Sequence, residues 1–195
     1  RILGIEHRIY PEALRLLAGH PEIEVVHVTA ASNAGTKLAD LYPSLTPAYG
    51  DTVLSPLEVA DLRGLDLVFC MLPHGASQDF VPAIIDDVSH IIDLGADFRL
   101  PPDVYARWYR EAHRAPATDA RFAYGKAELY RGDLAHHAHV SPPGCYPTAV
   151  SLACAPLVAQ GCGAPRRIAA SCSGRPGAGR GLQTTPDASA EETRV

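Results

Sequence analysis

Cys145 stands in "SPPGCYPTA" between Gly144 and the pair Tyr146-Pro147, just ahead of an apolar run that reads as a helix. Backbone N–H groups at a helix N-terminus stabilise a thiolate, so this placement suits a nucleophile. The alternative is a buried structural thiol, the commoner fate of cysteine, and Cys154 and Cys162 fit that better. A second constellation, "SGRPGAGRG" from Ser173 to Gly181, has four glycines and two arginines. Such a loop presents N–H groups and guanidinium forks to an anion, or serves only as a turn. Two further stretches end apolar runs: "LPHG", with His74, and "DLGADFRL", where Arg99 either meets substrate or pairs with Asp97.

These residues need strands and helices to hold them. "RILGI" reads as a strand and "PEALRLLAGHP" as a helix, since Leu14, Leu17 and Ala18 recur at helical spacing. "IEVVHVTA", "LDLVFCML" and "SHIIDLGA" read as further strands; the continuous apolar run of "LDLVFCML" suits a parallel strand covered on both faces. Helices are expected at "SPLEVADLRG", with Ser55-Pro56 as its cap and first turn, at "SQDFVPAIID", and at "PPDVYARWYREAH" with Trp108 and Tyr109 inward. "AVSLACAPLVA" is expected to be a buried helix, kinked at Pro156. A strand and a glycine-rich turn are expected in "RRIAASCSGRPGAGRGL", and the polar "QTTPDASAEETRV" frays. Strand alternating with helix over the first hundred residues predicts an α/β, Rossmann-like doubly wound parallel sheet.

Composition narrows the class. The 195 residues are 47% hydrophobic with a formal charge of -5, enough for a sizeable core. The 17 basic residues are scattered, so no nucleic-acid partner is expected. No apolar run approaches the roughly 18 residues of a membrane span, and no signal peptide is visible; a cytoplasmic location is expected. Five cysteines without a C-x-x-C pair predict neither a disulfide framework nor a zinc site. His136, His137 and His139 lack partnering ligands and read as a solvated loop. The chain begins at Arg1 instead of Met, which suggests a trimmed N-terminus or an incomplete gene boundary.

Seven segments, "EALRLLAGHP", "NAGTKLADLYPSL", "VFCMLPHGAS", "IIDLGADFRL", "FAYGKAELYR", "PGCYPTA" and "SGRPGAGR", occur in the order found in the N-acetyl-γ-glutamyl-phosphate reductase family. That family is related to the aspartate-semialdehyde and glyceraldehyde-phosphate dehydrogenases, and the chain resembles it over nearly its whole length. The resemblance implies a Rossmann-type NADP(H)-binding domain, residues 1–144, and the opening of an α+β catalytic and dimerisation domain, residues 145–195. It makes Cys145 the nucleophile toward a small-molecule acyl phosphate, with a thioester as intermediate. It places Gly4, Ser32, Gly35, Leu72, Pro73, His74, Gly75, Ser173 and Gly174 at the cofactor, and Arg99 and Arg180 at the substrate phosphate. A homo-oligomer is implied for the full-length family.

The chain departs from the family pattern at named points. The glycine-rich opening turn keeps Gly4 but has His7 and Tyr10 where later glycines belong, which predicts weaker dinucleotide binding. Pro142 and Pro176 replace hydrogen-bonding residues. The family's catalytic histidine lies beyond the matched segments, and nothing after Leu182 resembles the family. The expectation is therefore a fragment or degraded copy with impaired turnover. An aspartate-semialdehyde dehydrogenase-like enzyme and a non-catalytic remnant are the alternatives.

Overall fold

The computed structural model describes residues 6–161, which form two compact units, one reaching Asp61 and the other beginning at Leu62. The expected strand "RILGI" and everything expected beyond residue 161 lie outside the described residues.

In the first unit, α1 (Glu6–Ala18) turns Leu14 into a core with Val28, Leu38, Leu45, Tyr49 and Leu54. Burial of each leucine there contributes roughly 1.5–3 kcal/mol. Two short helices, α2 (Leu38–Leu41) and α3 (Thr46–Tyr49), flank a 3-10 turn at Pro43–Leu45. The buried Tyr49 hydroxyl donates to Leu14 O at 3.0 Å.

Two expectations fail in this unit. "IEVVHVTA" alternates in burial as a strand does, with Val28 inside and Val26 outside, yet its one described ladder contact is the bridge from Thr29 to Ser55. Ser55 in turn cannot cap a helix. Its N–H donates to Val28 O and its carbonyl accepts from Ala30 N, holding it extended. Instead of the expected helix, the chain makes only a 3-10 turn at Val59–Leu62.

The second unit is built on four parallel strands in the order β1 (Leu67–Cys70), β2 (His90–Asp93), β4 (His139–Ser141), β3 (Phe122–Tyr124). Both strands expected here form. Val68 and Cys70 face one fully buried side, while Leu67 and Phe69 are half-covered on the other, which accounts for the uninterrupted apolar run. Helices α4 (Ala76–Phe80), α5 (Pro102–Tyr109), α6 (Pro116–Asp119) and α7 (Ala127–Leu134) connect the strands. Pro82 lies in a 3-10 turn, Val81–Ala83, directly after α4, so the "SQDFVPAIID" helix is shorter than expected. In α5, Tyr105 is fully buried, but Trp108 is 52% and Tyr109 39% exposed, contrary to their expected inward packing.

The last described element, α8 (Cys145–Ala159), matches the expected helix with Pro156 inside it. It is not a buried one: none of its residues is buried, and Leu157 is 55% exposed. The fold is thus α/β and Rossmann-like, a parallel sheet with flanking helices.

Candidate functional site at the carboxyl ends of the strands

In a parallel sheet every strand ends at the same edge, so residues far apart in sequence meet there. Leu72 to Gly75 follow β1, Gly95 to Arg99 follow β2, Gly125 and Lys126 follow β3, and Pro142 to Cys145 follow β4. Register locks the four together: Cys70 lies opposite Asp93, and Tyr124 opposite Ser141.

The loop after β1 is held by Asp97. This buried carboxylate accepts from Gly75 N at 2.8 Å and from Ser77 N at 3.0 Å. Gly75 adopts φ +85°, a left-handed conformation that favours glycine, and a Cβ there would touch the Arg114 guanidinium. Arg114 also donates to Gly75 O at 2.5 Å and pairs with Asp79 at 2.9 Å. His74, half-exposed, stacks with Tyr105 and meets Tyr109 at a tilt; its Nε2 lies 3.0 Å from Glu111 Oε1 and its Nδ1 3.5 Å from Asp97 Oδ1.

Asp97 and Arg99 do not form the pair that their spacing suggested. Arg99 turns the other way, donating from Nε to Pro142 O at 2.7 Å and from Nη2 to Leu94 O at 2.6 Å. It therefore ties the β2 loop to the β4 loop. A Cβ at Gly144 would come within 3.2 Å of Arg99 Nη1, so any larger residue there would make the guanidinium shift by a few tenths of an ångström.

Cys145 is the exposed first residue of α8. Gly144 is extended and caps the helix, and Pro147 sits in the first turn, where its missing N–H costs nothing. The first-turn N–H groups of α8 open at Cys145, and Arg99 lies against the preceding residue, Gly144. Cys70, by contrast, is buried, and burial together with Asp93 pushes its thiol up to about 12.

Buried ionisable groups at this edge are only partly visible in the sequence pattern. Asp93 is fully buried; Ser77 Oγ and Gly95 N donate to its Oδ1, while Oδ2 has no partner among the described residues. Burial pushes its carboxyl up to about 6, against the lowering pull of those hydrogen bonds. Lys126 is likewise buried, its Nζ without a hydrogen bond among the described residues and 3.4 Å from Glu128 Oε2. An acid that ends the apolar run His90–Asp93 was the available signal for Asp93; for Lys126 none existed.

The remaining sequence candidates are not among the described residues of this unit. Ser32 and Gly35 belong to the first unit, in an exposed turn. Gly35 has φ +86° and its N–H donates to Leu54 O at 2.7 Å, so the turn itself requires this glycine. Gly4, Ser173, Gly174 and Arg180 lie outside the described residues. His139 is buried in β4 while His136 and His137 are exposed, so the three histidines do not converge. Among the described residues no helix is long and apolar enough to cross a membrane.

Comparison with known proteins agrees with this architecture. Residues 11–137 match the family model described as semialdehyde dehydrogenase, NAD binding domain. A protein of Acidithiobacillus ferrooxidans named N-acetyl-gamma-glutamyl-phosphate reductase is 43% identical over 171 residues, 87% of this chain and 49% of its own length. Proteins of the same name from Pseudomonas aeruginosa and Azotobacter vinelandii are 42% and 41% identical over 174 residues, 88% of this chain and 51% of theirs. The chain spans about half the length of the curated relatives it matches. With the parallel sheet and the matched model together, the chain belongs to the semialdehyde dehydrogenase NAD-binding-domain family.

Proposed function

We propose that the chain serves the NADP-dependent reduction of N-acetyl-γ-glutamyl phosphate to N-acetylglutamate semialdehyde, a step of arginine biosynthesis, with Cys145 as nucleophile. The observation that carries this reading is the exposed Cys145 at the head of α8, beside Arg99 and at the carboxyl edge of a parallel sheet. In this reading residues 1–144 form the nucleotide-binding domain and residues 145–195 open the catalytic and dimerisation domain. The relatives' shared name supports the substrate.

The Cys145 thiolate attacks the acyl carbon, the bond from that carbon to the phosphate oxygen breaks, and phosphate leaves with its electron pair. Arg99, through Nη1, which is not the nitrogen bonded to Pro142 O or Leu94 O, balances charge as the phosphate departs. When bound, the nicotinamide supplies the hydride that turns the resulting thioester into aldehyde and free thiolate. The β1 loop fits the flat part of such a cofactor better than its phosphates. Asp97 already occupies the N–H groups of Gly75 and Ser77, leaving the half-exposed His74 ring and Leu72 as the surface.

Turnover by this chain is proposed to be impaired. Tyr10, at a position where the family has glycine, is half-buried against the first unit's core and donates to Thr29 O at 3.3 Å, so its bulk is fixed in place. Incubation with N-acetylglutamate semialdehyde, phosphate and NADP⁺ should give a slow rise in NADPH absorbance that Cys145→Ser abolishes. Full turnover overturns the impairment, and an undiminished rate in Cys145→Ser overturns the nucleophile.

A further inference from the structure

Glu111 belongs to none of the four strand-end loops, yet it makes the closest polar contact to His74. It follows α5 after Arg110, a non-glycine residue with φ 59° that reverses the chain and brings Glu111 over the β1 loop. We infer that Glu111 is a positioning residue that fixes the orientation and tautomer of the His74 ring. The inference rests on the proposed cofactor role of His74 for its functional meaning, and on geometry alone for the contact itself.

The hydrogen bonds that run from Arg114 to Glu111 can be directed from one end. Arg114 N donates to Gln78 Oε1 at 2.6 Å, which fixes the Gln78 amide and leaves its Nε2 to donate to Tyr105 Oη at 2.7 Å. The Tyr105 hydroxyl then has its proton free to give to Glu111 Oε1, 2.8 Å away. An ionised carboxylate only accepts, and the Tyr105 bond, aided by His74, holds Glu111 below the usual carboxylate range. The single Tyr105 proton goes to Glu111 at 2.8 Å and not to His74 Nε2, which is 3.3 Å away, so Nε2, 3.0 Å from the Glu111 oxygen, carries the proton that joins them.

Two buried side chains make this relay stiff. Tyr105 is fully buried and Gln78 is 2% exposed, so neither can turn to an alternative partner in water. The ring is further held by aromatic contacts, with centroids 5.9 Å from Tyr105 and 4.7 Å from Tyr109. The other charged groups facing it are Asp97 at Nδ1 and the Arg114 guanidinium, which reaches Gly75 O beside it. A ring so held presents one fixed face at the carboxyl edge of β1, which lowers the ordering cost of binding a flat ligand such as a nicotinamide nucleotide.

The test uses the full chain with ¹⁵N-labelled histidine, the His74 resonances being identified by their loss in His74→Gln. Wild type should show the Nε2–H tautomer. Glu111→Ala should give a tautomer mixture and weaken NADPH binding, followed by fluorescence, about fivefold. Glu111→Gln, which retains an acceptor oxygen, should keep the tautomer and bind NADPH within about twofold of wild type. An Nδ1–H tautomer in wild type, or a Glu111→Ala protein unchanged in either readout, overturns the inference. Wild type that binds no NADPH refutes the cofactor reading instead, and the tautomer arm then decides the role of Glu111.

Discussion

The two halves of one sheet edge are built in opposite ways. On the β1 side, the His74 loop is fastened by a buried carboxylate, a buried tyrosine and a buried glutamine, and these groups bond to the loop and to one another. On the β4 side, Cys145 is exposed, and the helix it opens buries none of its apolar side chains. Arg99 is the link between the loops of β2 and β4, through two backbone carbonyls. Under the proposed function this difference separates the tasks of the edge. A surface that recognises a ligand gains from rigidity, whereas a nucleophile must stay open to a substrate that arrives and a product that leaves.

The comparison breaks most severely at Asp97. Asp97→Ala would leave the N–H groups of Gly75 and Ser77 without an acceptor in a buried place, at a cost of about 3–5 kcal/mol. Urea unfolding should show the loss, and Asp97→Asn, which retains one acceptor oxygen, should recover about half. An Asp97→Ala protein as stable as wild type would mean that the β1 loop is not held from beneath.

Asp93 tests the same side through pH. Its folded carboxyl titrates near 6, above its ordinary value of 3.8, so between those values the folded chain holds a proton that the unfolded chain has released. Stability contributed by this group is therefore present below about pH 4, falls as pH rises through 6, and stays lower above it; the full span is about 3 kcal/mol. Asp93→Asn should flatten that part of the profile in urea midpoints taken from pH 4 to 7. Profiles that run parallel in the two proteins would show that the carboxyl is solvated.

The sequence revealed the sheet far better than its fastenings, for a physical reason. β1 is visible because strand residues covered on both faces are apolar, as in "LVFC", and β2 through Ile91 and Ile92, although its last residue is the buried Asp93. "IEVVHVTA" shows the limit of that signal: its alternation reports burial, but a ladder needs a neighbour, and Thr29 finds Ser55 alone among the described residues. Cys145, Arg99 and His74 could be named as candidates from local context, and all three lie at strand ends, though Arg99 bonds to Pro142 O and Leu94 O instead of pairing with Asp97. Glu111 could not be, because its partner lies 37 residues away and nothing in "WYREAH" marks which acid will turn back. The inward expectation for Trp108 failed likewise, since Tyr105 on the same helix takes the core position.

The smallest effect is expected on the β4 side, and it is the one that discriminates most sharply between the two halves. Leu157 on α8 is 55% exposed, so Leu157→Ser removes little apolar contact and should change the unfolding free energy by no more than about 0.5 kcal/mol. The same substitution at Ile84, which is fully buried in the second unit, would delete a packed side chain and should cost about 2–5 kcal/mol. Matched urea curves for the two variants compare an open helix with a closed core directly. A Leu157→Ser loss approaching that of Ile84→Ser would show that α8 is packed in solution, and the openness assigned to the Cys145 side would fall with it.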